Sequence, residues 1–382
     1  MLRNARVILA DRVLDRASVL IESGKVATIT SVDSTATASS DVIDLDGFVL
    51  SPGFIDVHLH GAAGIDTMEA SAQQLGELAR FLATQGVTGW LPTFVPGSDD
   101  NYAASINAIV QAMQLDGVGA RILGVHYEGP FVNLAQCGAL HREYFKTYAT
   151  PADLDRFPTP GADKVRMITL APEISGGVEL IKELKARGWV ISIGHTRAEL
   201  ETLDQAFAAG ARHMTHFMNA MSPLHHRKPG PIAWGLSRDD VTFDMIADGI
   251  HIDPFMIRLL LKTKGSAGIS LISDAIAAAG KGDGDYQIWG ETISVENGRT
   301  SNSSGSIAGS VITMLDAVRM MRSLGVSDVE IARMASTNPA RLLGLDYEYG
   351  SIEEGKRADL VALDKDGKVR LTIVGGQVAF QA

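Results

Sequence analysis

The sequence predicts an α/β protein: a (β/α)₈ barrel in the middle of the chain, with a small β module assembled from both chain ends. Three observations carry this. The middle alternates amphipathic helical stripes with short apolar strands, repeatedly separated by a glycine. The first fifty and last thirty residues read as short strands joined by turns. The length of 382 residues exceeds the roughly 250 that a barrel alone needs, which leaves room for a second module.

The elements follow in order. Arg6 to Ala10, Ala17 to Glu22 and Lys25 to Thr30 are rich in Val, Ile and Leu, and Ser23-Gly24 is a turn signal between two of them. The Ser/Thr/Ala-rich stretch 31–40 reads as a loop. Leu75, Leu78 and Leu82 recur at helical spacing, as do Ile106, Ile109, Val110 and Met113. Three amphipathic runs end at Gly86, Gly188 and Gly210, and each is followed at once by a strand-like run. Glycine there fits the left-handed position that closes a helix. Further buried strands are predicted in ILGVHYEG, VRMITLAPE, VTFDMIADG and GISLISDAI. The middle then holds about eight strands, which favours a closed barrel over an open doubly wound sheet. The chain ends in strands again: Leu360 to Leu363, a turn at Lys365-Asp366-Gly367, Val369 to Val374 and Gln377 to Phe380. Chain ends of domains often lie close together, so the two strand-rich ends are expected to pair.

Hydrophobic residues make up 46% and charged residues 21%, ordinary for a globular protein with a large core. The formal net charge of −11 argues against a nucleic-acid partner or an anionic membrane surface. It leaves room for a small phosphorylated substrate, which one arginine and a few backbone N–H groups can hold. The single cysteine, Cys137, excludes a disulfide within the chain and suits a reducing cytosol. No apolar run approaches a membrane span, and the N-terminus lacks the apolar core of a signal peptide, so the expected setting is soluble and cytoplasmic.

The predicted strands carry chemistry at their C-terminal ends, the face where barrel enzymes build active sites. His58 and His60 stand two apart, and on a strand such residues point to the same side. Two imidazoles facing one point suit a divalent metal, although two satisfied core histidines would look the same. Glu128 ends the apolar run VHYE, where a carboxylate is costly unless it is paired or metal-bound. His126 shares its face and reads as structural. His195 ends WVISIGH and His216 ends RHMTH, with His213 facing the other way. Asp274 ends a nearly all-apolar strand, which calls for a metal or a proton-transfer role. The conjunction of these residues at separate strand ends points to a metal site. His225, His226 and Cys137 read as loop residues.

The motifs PGFIDVHLHG, HYEGP, APE, ISIGHT, THFMNAM, ADGIH, SDA and a late GxxxxGKxADLV resemble the amidohydrolase superfamily over essentially the whole chain. PGFID with the His-x-His pair marks only the superfamily. HYEGPF, GHT, TH-x-x-NAM and ADGIH together resemble the family of N-acetylglucosamine-6-phosphate deacetylases. That resemblance implies a distorted, TIM-like barrel at 51–349 and a β-sandwich domain built from 1–50 and 350–382. It implies Glu128, His195 and His216 as ligands of the main metal, Asp274 as the catalytic acid/base, and His141 as the carbonyl-polarising histidine. Asn219 and Ala220 look like the phosphate cradle, and His251 resembles a residue gripping the sugar. Arg227 resembles an arginine that reaches the phosphate in the neighbouring subunit of a homodimer. With His58 and His60 present, one or two ions fit, bridged through Glu128; Zn²⁺ suits this donor set, and Fe²⁺ or another divalent ion fits nearly as well. The implied reaction is metal-dependent deacetylation of an N-acetyl amino-sugar 6-phosphate. Its rivals are the galactosamine epimer, another amidohydrolase with a carboxylated lysine between two metals, and a non-catalytic barrel.

Overall fold

In the computed structural model, which describes residues 1–31 and 41–382, a nine-stranded parallel sheet occupies the middle of the chain. Most of the expected loop at 31–40 lies outside the described residues; Ser31 closes the strand Lys25–Ser31. The barrel strands are β1 (Phe54–Leu59), β2 (Val87–Phe94), β3 (Gly124–Glu128), β4 (Val165–Leu170), β5 (Val190–Ile193), β6 (His213–Met214), β7 (Thr242–Ile246) and β8 (Ile269–Ile272). They are bonded in that order, and the short ninth strand Arg121–Ile122 lies beside β2. The ring closes where β1 meets the chain leaving β8. Leu59 and Ala275 form a parallel bridge, and the Asp274 N–H donates to the His58 carbonyl at 2.9 Å.

Helix Ala72–Thr84 buries Leu75, Leu78 and Leu82, and Asp99–Ala112 buries Ile106 and Ile109, so the apolar stripes face the core as their spacing requires. Ser71 caps the first of these helices with a reciprocal side-chain bond to Gln74. Gly86 and Gly188 sit at φ +80° and +76°, a region that favours glycine, and each hands a helix to a strand. One crossover departs from the regular plan. Between β3 and β4 the chain makes only 3₁₀ turns, at Leu134–Gln136, Arg142–Tyr144 and Pro151–Leu154. This distorts the barrel and leaves a long loop over its mouth.

The chain ends meet in one eight-stranded sheet. Leu2–Ile8 pairs antiparallel with Val13–Glu22 and parallel with Val49–Pro52, which in turn pairs antiparallel with Leu360–Leu363. Val369–Val374 and Gln377–Gln381 complete one edge and Lys25–Ser31 the other, while the short Ile43–Asp44 pairs parallel with Leu2–Ile8. Val7, Val19, Val26, Leu50, Leu360 and Ile373 form a core of its own. The sheet docks on the barrel through Val361, Leu363 and Val369, which join the barrel core, and through the Thr372 hydroxyl, which donates to the Ala83 carbonyl at 2.7 Å. A third sheet is absent from the sequence reading: Gly284–Ile288, Glu291–Glu296 and Arg299–Ser301 form an antiparallel insertion after β8.

Candidate active site

The barrel places the suspected ligands at the C-terminal ends of five of its strands. His58 lies within β1 and His60 one residue past it; Glu128 is the last residue of β3. His195, His216 and Asp274 each follow a strand by two residues, after β5, β6 and β8. These last three share a left-handed backbone, at φ +48°, +30° and +50°. A non-glycine residue adopts that region at a cost, and such strain collects at functional sites. Here it is held by hydrogen bonds: Asp274 N–H to His58 O, and His216 N–H to the Asp244 carboxylate.

The side chains converge. Glu128 Oε1 lies 3.0 Å from both His195 Nε2 and His216 Nε2, and Glu128 Oε2 lies 3.4 Å from His60 Nε2. His58 Nε2 and His60 Nε2 are 3.1 Å apart, and Asp274 Oδ1 lies 3.5 Å and 3.3 Å from them. All six side chains are buried. They form two donor groups, Glu128 with His195 and His216, and Asp274 with His58 and His60.

The donor chemistry fits a divalent cation. His60 Nδ1 faces the Thr93 carbonyl at 3.2 Å and His195 Nδ1 faces the Gln136 carbonyl at 2.7 Å. A carbonyl only accepts, so both rings carry hydrogen on Nδ1 and turn an Nε2 lone pair to the cluster. Without a metal, protons balance the carboxylates. Burial alone would lower the His60 pKa, yet bonds and charges from Asp274 and Glu128 outweigh it and raise it to about 10. His216 behaves alike, lifted against burial by Glu128 to about 9. Burial pushes Glu128 up, but the His58 charge and the bonds from His195 and His216 hold it well below the usual range. Asp274 is likewise held low by His58 and His60 against its burial, so it is ionised at neutral pH.

The remaining buried histidines are built into the frame. His126 Nδ1 donates to the Val57 carbonyl at 3.0 Å, and its Nε2 meets the Thr169 hydroxyl at 2.8 Å. Thr169, Thr215 and Ser192 continue this as a hydroxyl layer across the barrel interior, at 2.6 Å and 2.5 Å. His213 turns away to Thr242 and Asp244. Asp56 straps the closing strands together, accepting the Ser273 hydroxyl at 2.5 Å and the His58 N–H at 3.3 Å.

A cavity of about 450 Å³ opens above the cluster. His60, Glu128, His195, His216 and Asp274 lie at its floor, and Asn219, Ala220 and His251 line it. His251 is fixed by Asp248, whose carboxylate takes its Nδ1 at 2.6 Å. Two expected site residues stand elsewhere. His141 is partly exposed and its Nδ1 faces Glu143 at 3.3 Å; Leu140 and Arg142, its neighbours, line the cavity in its place. A residue in an irregular loop has no fixed period, so spacing cannot say which of three neighbours turns inward. Arg227 lies on an exposed loop against His226, outside this cavity. Arg142 and Trp289 on the cavity wall, and Asp56 and Gln136 behind the buried cluster, were not foreseen from the sequence. Asp56 had a signal in being a carboxylate inside an apolar strand.

The amidohydrolase family profile matches residues 49–379. The chain is 36% identical to the N-acetylglucosamine-6-phosphate deacetylase of Bacillus subtilis (strain 168), covering 100% of this chain and 97% of that protein. It is also 36% identical to the N-acetylgalactosamine-6-phosphate deacetylase of Escherichia coli O157:H7, covering 99% of each. Among solved structures, the N-acetyl-D-glucosamine-6-phosphate deacetylase of Mycobacterium smegmatis, a mutant in complex with N-acetyl-D-glucosamine-6-phosphate, superposes with a TM-score of 0.89 at 30% identity, covering 100% of this chain and 99% of the other. With that fold, those two donor groups and those relatives, the chain belongs to the amidohydrolase family and, within it, to the N-acetylglucosamine-6-phosphate deacetylases.

Proposed function

We propose that the protein hydrolyses the acetamide of N-acetylglucosamine 6-phosphate to glucosamine 6-phosphate and acetate. The observation that carries this reading is the convergence of four imidazoles and two carboxylates beneath a cavity lined by Asn219, Ala220 and His251. Glu128, His195 and His216 would hold a main divalent ion, and His58 and His60 a second, with Glu128 between them. Zn²⁺ is the preferred identity on the donor set. When bound, such an ion supplies Lewis acidity and lowers the pKa of a water at the site.

The chain's own residues do the rest. Asp274, ionised and beside His60, takes a proton from the attacking water at its carboxylate and passes it to the leaving amine nitrogen. Asn219 and Ala220 would cradle the phosphate, and His251, braced by Asp248, would hold a sugar hydroxyl. Binding these remote groups orients the amide over Asp274. For a carbonyl role His141 must leave Glu143 and turn inward. We infer a homodimer in which Arg227 completes the neighbouring site; its exposure on a loop with Leu224, itself 56% exposed, supports this. A cytoplasmic setting accords with the single cysteine.

The equal identity to the galactosamine enzyme supports a second reading, in which the 4-epimer is the substrate. The deciding experiment measures acetate release by metal-loaded protein from N-acetylglucosamine 6-phosphate, its galactosamine epimer and unphosphorylated N-acetylglucosamine. Preferred turnover of the first, with little of the sugar lacking phosphate, is expected. Preference for the epimer selects the second reading, and no acetate from any of them overturns both.

A further inference from the structure

The insertion after β8 sends one large side chain into the cavity. Trp289 stands at the turn between Gly284–Ile288 and Glu291–Glu296 and lines the cavity wall. Its backbone is left-handed, at φ +53°, an unfavourable state for a bulky residue. The ring is nonetheless fixed. Its Nε1–H donates to Asp66 Oδ2 at 2.9 Å, and it stands edge-on to the His60 imidazole, with centroids 5.3 Å apart at 82°. Trp289 packs against two apolar clusters at once, one of the insertion with Ala139 and one containing Val95, Val132 and Leu140. Ala139 and Leu140 also line the cavity, so the three make an apolar wall on the side of His60.

The position of that wall is informative. His60, beside the ring, lies 3.3 Å from Asp274, so the wall adjoins the reacting end. An N-acyl amino-sugar phosphate presents hydroxyls, a phosphate and one alkyl group, and the alkyl group is attached to the carbon under attack. We propose that Trp289, with Leu140, bounds the subsite for the N-acyl alkyl group and sets the acyl length that the enzyme accepts. This rests on the deacetylase reading above.

The test compares kcat/KM for N-acetyl-, N-propionyl- and N-butyrylglucosamine 6-phosphate in the metal-loaded native enzyme, Trp289→Gly, Trp289→Phe and Leu140→Ala. Glycine suits φ +53°, so Trp289→Gly removes the ring while relieving the backbone. In the native enzyme each added methylene should lower kcat/KM by about 10-fold or more. Trp289→Gly and Leu140→Ala should narrow the acetyl-to-butyryl ratio by at least about 10-fold, and Trp289→Phe should keep it. As a readout independent of turnover, calorimetry in an Asp274→Asn background should show the N-butyryl sugar gaining affinity when Trp289→Gly is added. An active native enzyme whose ratio is unchanged in both small-residue variants, or whose three substrates all fall by one factor, overturns the wall alone. No acid released from any of the three by the native enzyme overturns the deacetylase reading and this proposal with it.

Discussion

At the scale of single residues, charge is set by what each group faces. Asp274 is buried yet ionised, because His58 and His60 stand within 3.5 Å and 3.3 Å. Asp274→Asn keeps the shape and removes the proposed base. It should lower kcat by at least about 100-fold while metal stays at the Glu128 group, as read by activity and metal content; near-native turnover would remove Asp274 from the reaction. The histidines give a second expectation. His60 and His216, with pKa values of about 10 and about 9, each hold a proton at neutral pH in the metal-free protein. A metal needs their Nε2 lone pairs, so loading at pH 7.5 should release about two protons, and apparent affinity should fall as pH falls. Calorimetry in buffers of different ionisation enthalpy measures that number, and zero release would contradict the assignment of these rings as ligands. Much of the cluster was legible because strand geometry is periodic: His58 and His60 two apart must share a face, and carboxylates such as Glu128 and Asp274 at the ends of apolar strands demand a partner. His141 was not legible, since its orientation depends on a loop contact with Glu143.

At the scale of elements, the ends of the strands must approach closely for the clustered side chains to meet. Gly194 lies between β5 and His195, and its N–H bonds the Leu170 carbonyl at 3.0 Å. A Cβ at this position would fall 2.6 Å from Thr169 Cγ2 and 3.1 Å from Thr215 Cβ. Both neighbours belong to the buried hydroxyl layer that also fixes His126, so neither can yield freely. Gly194→Ala should therefore destabilise the fold by about 1–3 kcal/mol and weaken metal retention by displacing His195. Denaturant unfolding and metal content after dialysis measure the two effects; a native midpoint with native metal content would show that the barrel interior relaxes around the methyl group. The helix and strand spacing announced these elements well, since Leu75, Leu78 and Leu82 do face the core. The crossover from β3 to β4 gave no such sign. It is held by 3₁₀ turns and single contacts, such as Tyr127 Oη to the Pro158 carbonyl at 2.6 Å, which leave no periodic trace. The same holds for the insertion that carries Trp289, whose strands are short.

At the scale of the whole molecule, the joining of the chain ends was foreseeable because strand-rich ends without a partner must find one another, and Val49–Pro52 against Leu360–Leu363 is where they do. The proposed dimer is not written in one chain's hydrophobic pattern, yet the proposed phosphate site makes a prediction about it. Among the described residues that line the cavity, Arg142 is the one arginine or lysine; Arg227 lies outside, on an exposed loop. If Arg227 acts across a dimer, Arg227→Ala should raise KM for the phosphorylated sugar and leave the unphosphorylated sugar unchanged. The complementary variant is Asp274→Asn, which disables the site in its own chain. Each variant alone forms only defective sites. Mixed and allowed to exchange subunits, they produce hybrid dimers in which one site combines Asp274 of one chain with Arg227 of the other. An equal, random mixture should then recover about a quarter of native activity at low substrate concentration. Recovery needs exchange, so the mixture is unfolded and refolded together, with each variant treated alone as the control. Activity equal to the average of those controls would place Arg227 in the service of its own chain, or of none.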